Sequence, residues 1–107
     1  MRRLGMVCRI KPERYEEYKR LHASAWPEVL ETISRCNIRN YSIYHKDGYL
    51  FSYFEYAGDD FEADMAAMAD DPITQKWWDV CKPCMEPLET RAEGEWWANM
   101  EEIFHCE

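Results

Sequence analysis

The sequence is poor in glycine, poor in positive charge and without a long apolar run, and each shortage removes a class of function. Four glycines are scattered through 107 residues. They build no glycine-rich loop that could cradle phosphates, and no Gly-x-Ser-x-Gly elbow presents a nucleophile. Thirteen basic residues stand against 21 acidic ones, a net charge of −8, which disfavours nucleic acid and anionic membrane as partners. No apolar stretch approaches the roughly 18 residues of a spanning helix, and the first residues lack the apolar core of a secretion signal. Internal repeats and low-complexity segments are missing too. The five cysteines are odd in number and irregularly spaced, so reduced thiols in a cytoplasmic protein are expected rather than a disulfide framework.

Cys81-Lys82-Pro83-Cys84 is the one short cysteine pair. A redox pair normally follows a strand and opens a helix, whose dipole lowers the first thiol's pKa; this one follows a tryptophan-bearing helical segment. A zinc site needs two more ligands, and only His105 and Cys106 are candidates, at no standard spacing. Neither redox nor metal chemistry is expected here.

What remains is a chain that is 47% apolar and 15% aromatic, a single domain over residues 1–107 with one core. Leu4 to Ile10 suits a buried strand. Pro12 fits a first helical turn, with Glu13, Glu16 and Glu17 near the positive helix end. The helix is expected to run to about Arg35 with Asn37 as its stop, broken or kinked where Pro27 disfavours helical geometry at Trp26. Ser24 is a candidate cap for the second segment. Two alternating aromatic runs, Ile38 to Lys46 and Tyr49 to Tyr56, flank Asp47-Gly48 and predict a two-residue hairpin. That turn sets Tyr41 opposite Phe54, Ile43 opposite Ser52 and His45 opposite Leu50, with Asn40 opposite Glu55 on the other side. Large aromatic residues on both faces imply that one covers the helices and the second meets another copy of the chain. Asp59-Asp60 caps a helix with Phe61, Met65, Met68 and Ala69 inward, and Asp70-Asp71-Pro72 starts another with Gln75, Trp77 and Trp78. Lys82 to Gly94 reads as a loop and Trp96 to His105 as the last strand. The order β-α-β-β-α-β is a ferredoxin-like α+β unit, an antiparallel sheet with helices on one face.

Tyr18 and His22, four apart, stack on one helix face, which Leu21, Ala25, Val29 and Ile33 continue as an apolar stripe. A buried imidazole beside a phenol is either a satisfied core pair or a proton-transfer site, and the spacing leaves both open. Adjacent Trp77 and Trp78 diverge by about 100° on a helix, so one can pack while the other walls a cavity; flat indoles suit the C–H face of a sugar, the methyl of a 6-deoxy sugar above all. Trp96-Trp97 suits an interface or the core. Tyr18, His22, the inward strand residue Tyr41 and a tryptophan from the pair are able to converge between sheet and helices, the usual place for a small-ligand site.

Tyr18-x-x-x-His22-x-x-x-Trp26-Pro27-Glu28, Asn40-Tyr41-Ser42-Ile43-Tyr44, Lys76-Trp77-Trp78 and Met100-Glu101-Glu102-Ile103-Phe104-His105 together resemble the L-rhamnose mutarotase family over essentially the whole chain. The resemblance implies a homodimer of ferredoxin-like subunits, of the dimeric α/β-barrel type, that interconverts the α and β anomers of L-rhamnose without a cofactor. It implies His22 as proton donor and Tyr18, Tyr41, Trp77 and Trp78 as sugar-binding residues. The departures are Trp96-Trp97, the Cys81/Cys84 pair and Cys106, which leave the choice of sugar open. A cofactor-free or haem-handling oxygenase on the same scaffold, and a non-catalytic sugar-binding module, are the competing readings.

Overall fold

In the computed structural model, which describes residues 1–107, the Asp47-Gly48 turn sets the frame. Asp47 (φ 51°) and Gly48 (φ 84°) both take left-handed backbone, the two-residue turn whose twist matches its flanking strands. It joins β2 (Ile38–Lys46) to β3 (Tyr49–Tyr56). Near the turn the register is the expected one: His45 opposes Leu50, Tyr44 opposes Phe51, Ile43 opposes Ser52 and Ser42 opposes Tyr53.

Further out the register departs from the expectation. Arg39, not Asn40, pairs with Glu55, and Ile38 pairs with Tyr56, with an irregularity between Arg39 and Ser42. Asn40 and Tyr41 therefore share the place opposite Phe54, a β-bulge. Asn40 turns into left-handed backbone (φ 51°) to make it, and its side chain donates to Glu55 Oε1 at 2.7 Å. The extra residue changes the parity of the strand, so Tyr41 and Ile43 join Ile38 on the inner face.

β1 (Arg2–Ile10) lies beside β3, antiparallel, with Leu4 opposite Phe54, Met6 opposite Ser52 and Cys8 opposite Leu50. The other edge of β1 takes two short strands, β4 (Met85–Glu86) and β5 (Ala98–Met100). The strand order is β2-β3-β1 followed by β4 and β5, a ferredoxin-like α+β sheet whose last strand is split. Two expectations change here. Lys82 to Gly94 is not all loop, because a 3-10 turn over Lys82–Cys84 leads into β4. The last strand is three residues rather than ten; past Met100 the chain leaves the ladder, and Ile103 (88%) and Phe104 (81%) are exposed. Arg3 still holds this tail through two bonds to Glu102, 2.9 and 3.0 Å.

The helix between β1 and β2 is broken as its proline demands. α1 (Tyr15–Ala23) follows a 3-10 turn at Pro12–Arg14, and α2 (Pro27–Arg35) starts with Pro27 as its first residue. Trp26 is extended (φ −65°, ψ 131°) and is the cap of α2, without a side-chain bond; Ser24 instead ends α1. Asn37 closes α2 with φ 67°. After β3, Asp60 caps α3 (Phe61–Asp70) by accepting from the Ala63 amide, and Asp71 caps α4 (Pro72–Cys81). Asp71 Oδ2 accepts from the Thr74 amide at 2.9 Å, from Thr74 Oγ1 at 2.8 Å and from Thr32 Oγ1 at 3.3 Å, which ties α2 to α4. These bonds hold its carboxyl below the usual range. Ala69, expected inward on α3, is exposed.

The core joins Cys8, Ile10 and Leu50 of the sheet to Tyr18, Val29 and Trp77 of the helices. On the opposite face Tyr44 (66%), Tyr49 (41%) and Phe51 (38%) remain exposed. Replacing Asn40 by Val puts a β-branched residue in left-handed backbone, at a cost of roughly 1–2 kcal/mol, whereas Asn40→Gly accepts that geometry freely. Urea unfolding is expected to show that loss for Asn40→Val and a much smaller one for Asn40→Gly. Equal losses would assign the bulge to the Asn40–Glu55 bond instead of the backbone.

Candidate active site

The inner sheet face and the helices do not close completely on each other. Between them lies a cavity of about 420 Å³, and 18 of its 23 lining residues are apolar. Tyr18, His22, Tyr41, Trp77 and Trp78 all line it.

His22 sits in the last turn of α1, half-buried, with Nδ1 2.8 Å from the carbonyl oxygen of Tyr18. A carbonyl only accepts, so Nδ1 carries the hydrogen and the neutral ring bears its lone pair on Nε2. Burial pulls the imidazole pKa below its ordinary value, and the bond to the Tyr18 carbonyl offsets part of that. At neutral pH the ring is therefore uncharged. It is packed on two sides: the Tyr18 ring stacks at 4.1 Å, and Trp77 meets it edge-on at 5.2 Å. Trp26, set by the break before Pro27, packs edge-on against Trp77 at 5.2 Å. The extended residue between the two helices thus supplies the second indole that backs the first.

Tyr18 is 5% exposed and Trp77 7%. Burial raises the Tyr18 phenol far above the ordinary range, with further contributions from Tyr41 and the neighbouring thiols. The Tyr41 phenol is pushed up to about 12, again by burial, although the residue is 39% exposed. Both hold because Tyr41 lines the cavity: surface that a water molecule can reach there is still shielded from bulk solvent. Its ring tilts against Phe54 at 5.4 Å, across the bulge that brought it to this face. The two phenols stay protonated at neutral pH and are donors.

Trp77 and Trp78, though divergent on α4, both border the cavity, Trp77 as a buried wall and Trp78 half-buried at its side. Three residues that sequence reasoning did not assign to the site also border it: Lys82, Trp96 and Trp97. Trp96 and Trp97 were expected at an interface or in the core. They arrive at the cavity because β5 returns along β1, a non-local pairing that periodicity does not report. Glu95 fixes the turn that carries them, accepting from the Ala92 amide at 3.0 Å and from both the amide and the side chain of Asn99.

Cys81 borders the cavity as well, and Cys84 is fully buried. Burial pushes the Cys81 thiol up to about 12 and raises that of Cys84, which leaves both unreactive at neutral pH. Nowhere do three His, Cys, Asp or Glu side chains gather as a metal cage.

An uncharged imidazole, two neutral phenols and a set of indole faces in one shielded space can exchange protons with a polar, uncharged ligand and stack against its apolar side. A sequence profile described as L-rhamnose mutarotase matches residues 3–106. The chain is 30% identical over 115 residues to an L-rhamnose mutarotase of Oceanobacillus iheyensis and 32% identical over 109 residues to that of Lactiplantibacillus plantarum, each covering 100% of both chains. With the L-rhamnose mutarotase of Phocaeicola vulgatus it shares 38% identity over 88 residues, 80% of this chain and 82% of the other. Among solved structures, an L-rhamnose mutarotase from Formosa agariphila superposes with a TM-score of 0.78 at 23% identity, covering 100% of both chains. A type-II polyketide cyclase from Streptomyces glaucescens superposes with a TM-score of 0.76 at 17% identity, covering 100% of this chain and 98% of the other; at such identities these two likenesses concern the fold. Profile and full-length relatives together place the chain: it belongs to the L-rhamnose mutarotase family.

Proposed function

We propose that this protein is a cofactor-independent isomerase that accelerates interconversion of the α and β anomers of L-rhamnose or a related 6-deoxy aldose. The observation that carries this reading is His22, whose Nδ1–H is held by the Tyr18 carbonyl, leaving a neutral Nε2 with no partner in the chain beside an aromatic cavity. His22 is the proton-transfer residue; Tyr18, Tyr41, Trp77 and Trp78 bind the sugar.

The chemistry follows from those protonation states. The neutral Nε2 of His22 is an acceptor in ring opening rather than the proton donor the resemblance implies. It takes the proton of the anomeric hydroxyl, C1 and that oxygen become an aldehyde, and the bond from C1 to the ring oxygen breaks. The ring oxygen takes its proton from a phenol. Tyr41, 39% exposed against 5% for Tyr18, is the phenol more open to a ligand and is taken as that donor, so Tyr18 orients the sugar and stacks on the imidazole. Rotation about C1–C2 and reclosure from the other face return both protons and give the other anomer. Imidazole is suited to the task because its proton affinity lies near neutrality. The Trp77 and Trp78 faces take the sugar's C–H surface and methyl group. An oxygenase, a haem-handling protein or a sugar-binding module without catalysis would fit the same scaffold; the family match favours the isomerase.

We further propose that the chain works as a homodimer in the cytoplasm. Tyr44, Tyr49 and Phe51 on the outer sheet face and Ile103 and Phe104 on the tail are apolar and exposed, surface that a second copy would cover. Five unpaired cysteines suit a reducing compartment.

Three outcomes are expected. His22→Asn and His22→Ala fold normally and lose about 10²–10⁴-fold of the acceleration, read by saturation-transfer NMR between the anomer signals of L-rhamnose; an unchanged rate removes His22 from the mechanism. The neutral ring is the reactive form and its pKa lies below 6.5, so kcat, after subtraction of the uncatalysed rate, is level above that pH and declines as pH falls through the lowered value. A rate that grows on acidification would contradict this assignment. Sedimentation equilibrium gives twice 12.9 kDa, and a chain ending at Met100 sediments as a smaller species; a monomer at every concentration would refute the dimer.

A further inference from the structure

Lys82 follows the last residue of α4 and borders the same cavity as His22. Its Nζ lies 5.0 Å from the ring centroid of Trp78 and 5.0 Å from that of Trp96. Two indole faces thus grip one ammonium from two directions, each attracting it through the negative face of the ring. The ammonium has neither an ion pair nor a hydrogen bond to protein; all four ion pairs of the chain belong to arginines. The other four lysines are unpaired too; what sets Lys82 apart is its place on the cavity between two indole faces. The charged residues among its lining are Lys82 and Arg2, with no carboxylate between them, and Arg2 lies over the Phe61 ring at 4.2 Å.

An ammonium has three hydrogens to give and no lone pair to receive. Indole faces attract its charge but leave its directed donors without oxygen acceptors. Lys82 is half-buried at the border of the cavity, and a ligand oxygen there supplies the acceptor that indole faces do not. The neighbouring Trp96 indole shows the same want of acceptors: its Nε1 is buried with no hydrogen-bond partner. The clamp keeps the lysine stem from wandering, so little side-chain freedom is left to lose on binding.

We propose that Lys82 is a substrate-binding residue, an ammonium clamped between Trp78 and Trp96 that donates a hydrogen bond to one ring hydroxyl of the bound aldopyranose away from its anomeric carbon. It fixes which edge of the sugar carries hydroxyls, and the methyl is left to the indole wall of Trp77. This deepens the mutarotase reading and rests on it: His22 supplies the proton chemistry, Lys82 the discrimination among polyhydroxylated pyranoses.

The test measures KM and kcat for anomer exchange with wild type, Lys82→Met and Lys82→Gln, on L-rhamnose and its 2-, 3- and 4-deoxy analogues. Loss of a hydrogen bond from a charged donor is expected to raise KM for L-rhamnose about tenfold or more in both variants, with kcat within about twofold. For the one analogue lacking the hydroxyl that Lys82 binds, wild type and variants should converge on the same KM. An unchanged KM on L-rhamnose overturns the proposal. So does a rise of equal size on every analogue, which would make the lysine a prop for two tryptophans and no more. If one variant does not fold, the other carries the comparison. If both fail, wild-type KM decides, because a Lys82 bond requires one deoxy analogue to bind about tenfold more weakly, and uniform values exclude it. Should wild type bind sugar by tryptophan quenching yet exchange no anomers, the mutarotase reading fails while the same comparison, made on dissociation constants, still decides on Lys82.

Discussion

The hydrogen bond from His22 Nδ1 to the Tyr18 carbonyl fixes the tautomer and the orientation of the ring at once. Histidine without such a partner can present either nitrogen; with it, the uncharged ring offers a lone pair on one side only. Much of the surrounding architecture serves that bond. Stacked Tyr18 and edge-on Trp77 stop the ring from turning, Trp26 backs Trp77, and the break at Pro27 lets Trp26 leave the helical path and reach it. The same aromatic shell excludes bulk water, which lowers the imidazole pKa and raises those of the phenols. One burial effect, acting on acids and bases of opposite charge type, keeps every group neutral.

The second determinant is a change of parity in β2. A regular strand through Ile38 would turn Tyr41 to the outside, and the cavity would lose a donor. Asn40 prevents this by adopting backbone that few residues tolerate. Bulges often re-aim a side chain beside a functional site, and here the re-aimed residue is the phenol assigned to the ring oxygen.

How much of this could be read in advance depended on the range of the interaction. The four-residue spacing of Tyr18 and His22, the broken helix at Pro27 and the Asp47-Gly48 turn are local, and each left a plain mark in the chain. Register followed correctly from that turn as far as Ser42, then failed, because nothing in an alternating run announces a residue with positive φ. Ser24 looked like a cap, yet with Pro27 already supplying a residue that needs no amide partner, α2 begins without one. Lys82, Trp96 and Trp97 were missed for another reason. They meet only because two short strands, β4 and β5, return along one edge of β1, and prolines at 83 and 87 disguise the first of them. A pair such as Trp77-Trp78 told of aromatic walls; that both would border the cavity depended on how far α4 stands off the sheet.

The distribution of sulfur has a practical side. Cys8, Cys36, Cys81 and Cys84 are buried, and Cys106 alone is exposed. The folded chain therefore offers an alkylating dye a single handle, two residues beyond the apolar pair on the tail, with no engineering of other cysteines. Once unfolded, the same molecule offers five. Counting labels per chain by mass spectrometry separates native from denatured molecules, and the dye itself sits where approach of another polypeptide to the tail would alter its emission.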